Sequence, residues 1–133
     1  QIVKDIIKEN NEDDETFLVR FISSEKIKVV QDFTVNKDEI SDAADSLYVE
    51  GGQTAILDAV MFSAEYLVEN AMKDSGRRKI LIIISDGDDR QNAAKTDEVL
   101  KYLKENNIRV FAFGIAELLF RKHAPTSAIR LKV

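Results

Sequence analysis

Arg77-Arg78-Lys79-Ile80-Leu81-Ile82-Ile83-Ile84-Ser85-Asp86-Gly87-Asp88-Asp89 carries an unbroken aliphatic run that stops abruptly on a carboxylate-rich turn. Five aliphatic residues in a row, Ile80 to Ile84, have the length of a strand and fall far short of the roughly 20 that cross a bilayer. A continuous rather than alternating run suits a central parallel strand covered on both faces. Parallel strands require crossover connections, usually helices, and the sequence on either side supplies them. Upstream, Gly51-Gly52-Gln53-Thr54 interrupts the pattern, and from Ala55 a long amphipathic stretch turns Ile56, Ala59, Val60, Leu67, Val68 and Ala71 toward a core. Downstream, Val99, Leu100 and Leu103 mark another helix, and Ile108 to Ile115 gives a second buried strand.

Farther toward the amino terminus, Thr16-Phe17-Leu18-Val19-Arg20-Phe21-Ile22 is rich in aromatic and β-branched residues, as strands are. Ile27 to Phe33 follows after a short connection, so the two should form an antiparallel hairpin. Asn36 and Glu39 have the spacing of a capping box. Ile40, Ala43, Ala44 and Leu47 then follow at helical spacing, and the helix is expected to close at Val49. At the very start Ile2, Val3, Ile6 and Ile7 form a helical stripe with no capping residue before it, as though the chain begins inside a helix. The order strand, strand, helix, helix, strand, helix, strand predicts an α/β, doubly wound fold. Its sheet would be mainly parallel with one antiparallel edge strand. Residues 1–133 are read as one domain, with 116–133 as a tail: Ala116 to His123 suits a helix, Pro125 interrupts, and Ser127 to Val133 alternates like a short strand.

Composition narrows the function. The chain has 133 residues, 44% hydrophobic and 32% charged, close to globular averages. A net charge of −5 argues against nucleic acid or an anionic membrane as partner. With no cysteine, disulfides, thiolate zinc sites and cysteine nucleophiles are excluded. His123 is the single histidine, so a zinc cluster or a familiar catalytic triad is not assembled from imidazoles. The start shows no signal-peptide zones.

In open α/β sheets, ligands bind beyond the carboxyl ends of the strands. Two segments should meet there: Gly51-Gly52-Gln53-Thr54, which delivers a hydroxyl at the start of the long helix, and Asp86, which follows the aliphatic strand. Both offer oxygen to a hard cation such as magnesium. Gly51-Gly52-Gln53-Thr54-Ala55 with Asp58-Ala59, together with Ile82-Ile83-Ile84-Ser85-Asp86-Gly87-Asp88-Asp89, resembles the von Willebrand factor A-type domain, especially its bacterial branch. The resemblance runs from Gln1 to about Ile115. It implies a Rossmann-like fold and a metal-ion-dependent adhesion site with Thr54 and Asp86 as ligands of Mg2+ (or Mn2+ or Ca2+). It further implies a protein ligand that offers a carboxylate, and a secreted, periplasmic or cell-surface setting.

The family's opening strand ends in Asp-x-Ser-x-Ser, which supplies most of the metal's protein ligands, and no such pentapeptide occurs in this sequence. The chain is therefore read as truncated at its amino terminus, without the strand that would lie mid-sheet. An empty slot there would leave backbone groups unpaired at about 1 to 3 kcal/mol each if buried. The expected fillers are a strand exchanged from another copy, giving a dimer, or the tail Ser127 to Val133. The other reading is an upstream segment in a longer protein.

Each signal has a plainer explanation. Thr54 serves equally as an N-cap, Asp86 as a turn or cap residue, and Asp58 as a first-turn carboxylate favoured by the helix dipole. Asp88 and Asp89 are secondary candidates for assisting a cation or simply a solvated acidic loop. Arg77, Arg78 and Lys79 guard an apolar strand against aggregation, and the Phe and Tyr side chains are assigned to core packing. For function, a noncatalytic protein-interaction or adhesion module leads. One alternative is a metal-dependent phosphatase that resembles the haloacid dehalogenase type, using Asp86 and Asp88, although Arg90 stands where that family places Thr or Val. The other is a structural domain with a vestigial site.

Overall fold

The computed structural model describes residues 1–23, 25–47, 55–73, 76–85 and 95–114. Eight elements follow one another: α1 (Ile2–Lys8), β1 (Thr16–Phe21), β2 (Ile27–Thr34), α2 (Lys37–Asp45), α3 (Ile56–Asn70), β3 (Lys79–Ser85), α4 (Thr96–Glu105) and β4 (Ile108–Gly114). Their order and type match the sequence pattern. The expected helix at the start is there, but of its apolar stripe only Ile7 is fully buried. The predicted tail 116–133 lies outside the described residues.

The core explains why these segments take these forms. Val60, Ala64 and Leu67 of α3 meet Val99 and Leu103 of α4 above Leu81 of β3 and Ile108 of β4. Helical spacing on two helices and a period of two on two strands thus converge on one cluster. Ala64, Leu103 and Ile108 have no exposed surface, and a fully buried Leu or Ile contributes about 1.5–3 kcal/mol. Past α4, Asn107 takes φ 54°. Asparagine tolerates this left-handed turn, which ends the helix and sends the chain straight into β4.

β3 and β4 are parallel, with Leu81 beside Val110, Ile82 beside Phe111 and Ile84 beside Phe113. One expectation is corrected here. The unbroken aliphatic run predicts cover on both faces, yet Ile80 and Ile82 are 44% and 41% exposed, and Phe111 and Phe113 are 51% and 50% exposed. α3 and α4 pack on the Leu81 side, and the four exposed side chains stand on the other. The expectation that phenylalanines are core residues fails at those two positions for the same reason.

β1 and β2 form the expected antiparallel hairpin, with register shifts between Thr16 and Val19. A second difference concerns the sheet. Where the sequence predicts one continuous sheet, the described strands make two separate pairs, β1 with β2 and β3 with β4. Both pairs serve one core, since Phe17 and Phe33 pack against the same cluster as Ile83 and Val110. Side-chain packing on α3, rather than a shared backbone ladder, brings the pairs together among the described residues.

α2 also differs in detail. Asn36 caps it, but its side-chain oxygen accepts from the Asp38 N–H at 3.0 Å, and the Glu39 carboxylate accepts from the Thr34 hydroxyl instead of closing a capping box. The helix ends at Asp45, short of Val49, which lies outside the described residues. Lys4 of α1 pairs with Asp45 of α2. No helix among the described residues is long and apolar enough to cross a membrane.

Candidate functional site

Thr54 and Asp86 lie outside the described residues, as do Gly51, Gly52, Gln53, Asp88, Asp89, Arg90 and His123. The elements that carry Thr54 and Asp86 are described. Ala55, 2% exposed, precedes the first turn of α3, and its N-cap position has no side-chain cap. Ser85 ends β3.

Two hydrogen bonds orient these elements. Just past α3, the Met72 N–H donates to Glu15 Oε2 at 3.0 Å. Just before β3, Arg77 Nη1 donates to the Asp13 carbonyl at 2.8 Å. Glu15 and Asp13 immediately precede β1, so the end of α3, the start of β3 and the start of β1 are tied at one rim. α3 and β3 therefore run in opposite directions. At 15 and 7 residues they are about 22 Å and about 23 Å long. The start of α3 and the end of β3 consequently reach the opposite rim together, and Ile56, Leu57 and Ile83 pack on the same core cluster. This is the carboxyl-end edge of β3, where ligands gather in open α/β sheets.

Asp58 stands in the first turn of α3, where the helix dipole favours a negative charge. Among the described residues, no three His, Asp or Glu side chains converge to hold a metal ion. The donors read from the sequence suit a hard cation in kind, since both are oxygens, but two are a minority of a six-coordinate shell. A cation held by Thr54 and Asp86 alone would keep mostly water around it.

Two features escaped the sequence reading. Around the β1–β2 turn an open depression of about 480 Å³ is lined by Arg20, Ile22, Glu25, Lys26, Ile27 and Lys28. Arg20 stands directly across from Lys28 in the hairpin register, an arrangement of like charges that opposes pairing. The signal was present as three basic residues bracketing a turn, although it takes strand register to set two of them face to face. The second feature is the Tyr66 hydroxyl donating to the Asp32 carboxylate. This bond, aided by the Phe33 N–H at 2.7 Å, holds Asp32 below its ordinary range. The same bond pushes Tyr66 up, with burial and the Asp32 charge adding to it. Thirty-four positions separate the partners, so no local pattern announces them. Tyr66 also stacks on Phe33 at 5.9 Å and meets Phe17 at 5.2 Å, which makes this cluster a brace between the hairpin and α3. The basic run that leads into β3 braces as well: Arg77 as above, and Lys79, the first residue of β3, through the Asn106 carbonyl at 3.3 Å.

Comparison with known proteins bears on the whole arrangement. No curated protein gives a match. Among solved structures, the chain is similar to the conserved hypothetical protein BatB from Bacteroides thetaiotaomicron. That likeness has a TM-score of 0.69 and 17% identity over 85% of this chain and 52% of that one, and it speaks to the fold alone. An uncharacterized membrane spanning protein from Vibrio fischeri gives a TM-score of 0.45 and 20% identity over 86% of this chain and 53% of that one. The chain thus spans about half the length of each. The profile of the von Willebrand factor type A domain matches residues 1–130, well past the Ile115 limit of the sequence resemblance. Domains of this type are in general noncatalytic protein-interaction modules. With that match across nearly its whole length, the chain belongs to the von Willebrand factor type A domain family.

Proposed function

We propose that this domain recognises a protein partner through the rim formed by the start of α3 and the end of β3. Thr54 and Asp86 supply oxygen ligands to a divalent cation there, Mg2+ or else Mn2+ or Ca2+, and an acidic group of the partner completes the contact. The observation that carries the reading is the opposed run of α3 and β3, fixed by the Met72–Glu15 and Arg77–Asp13 hydrogen bonds. It brings Ala55 and Ser85, the described neighbours of the two ligands, to one edge. When bound, the cation offers an open coordination position to a carboxylate. The chain's own contribution is a hydroxyl and a carboxylate held at the ends of two elements that share a core. Two oxygen ligands alone hold a free cation weakly, and the partner's carboxylate raises its binding by linkage.

The test is an NMR titration with Mn2+. Broadening centred on the Ala55 and Ser85 amides, lost in Asp86→Asn and reduced in Thr54→Ala, is expected. Broadening that is absent, or unchanged by Asp86→Asn, overturns the proposal. A generic aryl phosphate assay is run alongside. Sustained turnover abolished by Asp86→Asn would instead make the domain a phosphatase.

A further inference from the structure

The turn end of the β1–β2 hairpin gathers positive charge on a chain whose net charge is −5. Arg20 stands across from Lys28, so their side chains share one face of the hairpin. Past that pair, the Ile22 N–H donates to the Lys26 carbonyl at 3.1 Å, and the Lys26 N–H donates to the Ser23 carbonyl at 3.0 Å. These bonds carry the pairing one step beyond the strands and hold Lys26 beside Ile22. Alternation then places Ile22 with Arg20, and Lys26 with Lys28, on that same face.

The depression at this end is open, and Glu25 is the one carboxylate in its described lining, against the cations Arg20, Lys26 and Lys28. Arg20 already has an interaction within the chain. Lys26 and Lys28 are exposed, and among the described residues no ion pair joins either to a carboxylate.

The arrangement selects its occupant. An anion set beside Arg20 and Lys28 relieves the repulsion of two like charges held face to face. Lys26 and Lys28 are two positions apart, about 7 Å along an extended backbone, which is also the spacing of alternate side chains on a second extended chain. The charge of the whole molecule repels long polyanions such as nucleic acid. What is left is a local patch that a few carboxylates neutralise.

We propose that this face of the hairpin end binds an extended acidic segment of a protein partner, with carboxylates at alternate positions meeting Lys26 and Lys28 beside Arg20. The contact uses neither Thr54 nor Asp86. It therefore forms with no cation bound and goes beyond the rim described above.

The test is an NMR titration of the full chain, in EDTA and at low salt, with a capped peptide that alternates glutamate and serine. Saturable shifts centred on the Arg20, Ile22, Lys26 and Lys28 amides are expected, and a peptide that alternates glutamine and serine should give none. Lys26→Gln combined with Lys28→Gln should weaken binding several-fold, and added salt should weaken it too. Lys28→Glu guards against loss through misfolding. It sets opposite charges across the hairpin, so the fold should be held at least as well while peptide binding falls several-fold. Absent shifts, an equal response to the glutamine peptide, or affinity unchanged by the double variant overturns the proposal. Inorganic phosphate that matches the peptide at the same amides overturns it as well, by showing an adventitious ion only. Shifts that grow with protein concentration alone, at these amides and at Glu12 to Glu15, would give the face to a second copy and overturn it too. Because EDTA removes every divalent cation, none of these outcomes bears on Thr54 and Asp86.

Discussion

The two halves of the molecule solve the same problem in opposite ways. In the hairpin half, β1 and β2 are antiparallel and each pairs with its neighbour in the chain, so pairing is local; every β1 residue is half-buried. In the second half, β3 and β4 pair across α4. Their inner positions, Leu81 and Ile108, are 6% and 0% exposed, while Ile80 and Ile82 next to Leu81 are more than 40% exposed. A hairpin can stand with one wet side, whereas a parallel pair built of aliphatic residues on both sides cannot do so without leaving an apolar patch. The difference is that one side of β3–β4 carries the buried core, whereas Ile80, Ile82, Phe111 and Phe113 on the other are largely exposed.

The sharpest way to break that contrast is to truncate on each side. Leu103→Ala, at a position with no exposure, should cost about 2–5 kcal/mol in urea unfolding. Ile82→Ala should cost about half as much or less, because much of its surface is not removed from water. Equal costs would mean that the two sides do not differ. Next in size is the cap of the hairpin half: Asn36→Ala removes the bond to the Asp38 N–H and should cost about 1 kcal/mol, with the β3–β4 amides keeping their exchange protection. A smaller effect, of the other sign, is expected in the hairpin itself. Lys28→Glu turns a like-charge pair with Arg20 into an opposite one and should stabilise by about 0.2–1 kcal/mol, read as a shift in the urea midpoint.

The smallest effect lies in the brace between the halves. Asp32 is held below its ordinary value of 3.8, so its contribution is present above that value and fades as pH falls through the lower folded-state pKa. Tyr66 is raised above 10.0, so its contribution is present below that value and fades as pH rises through the higher folded-state pKa. The brace therefore acts across the whole span between. Tyr66→Phe should move the Asp32 carboxyl titration, followed by NMR, back toward the ordinary value. A titration that stays where it was would assign the shift to the Phe33 N–H alone.

Much of this was legible along the chain. Ile80 to Ile84 read as a strand because a short unbroken aliphatic run has few other uses, and Val99 with Leu103, one helical turn apart, marked the buried face of α4. Asn36 announced a cap, yet Glu39 went to Thr34, because a capping box competes with whatever a neighbouring strand end offers. Ala64 carries no mark in the sequence that sets it apart from other alanines. It has no exposed surface because α3 must approach α4 closely, which is a property of the pair. Thr54 and Asp86 were legible as motifs, and the ties at Met72 and Arg77 supply the opposed directions that motifs cannot.

What the sequence determined by itself was the kind and order of elements, since periodicity and turn chemistry act over a few residues, while the motifs around Thr54 and Asp86 carried the family resemblance. What only the tertiary structure decided was coverage and meeting: which side of β3 is bare, that Asp32 reaches Tyr66, and that Arg20 stands against Lys28. The physical reason is distance along the chain. Burial and pairing depend on which surfaces come together, and residues tens of positions apart carry no local mark of their neighbours.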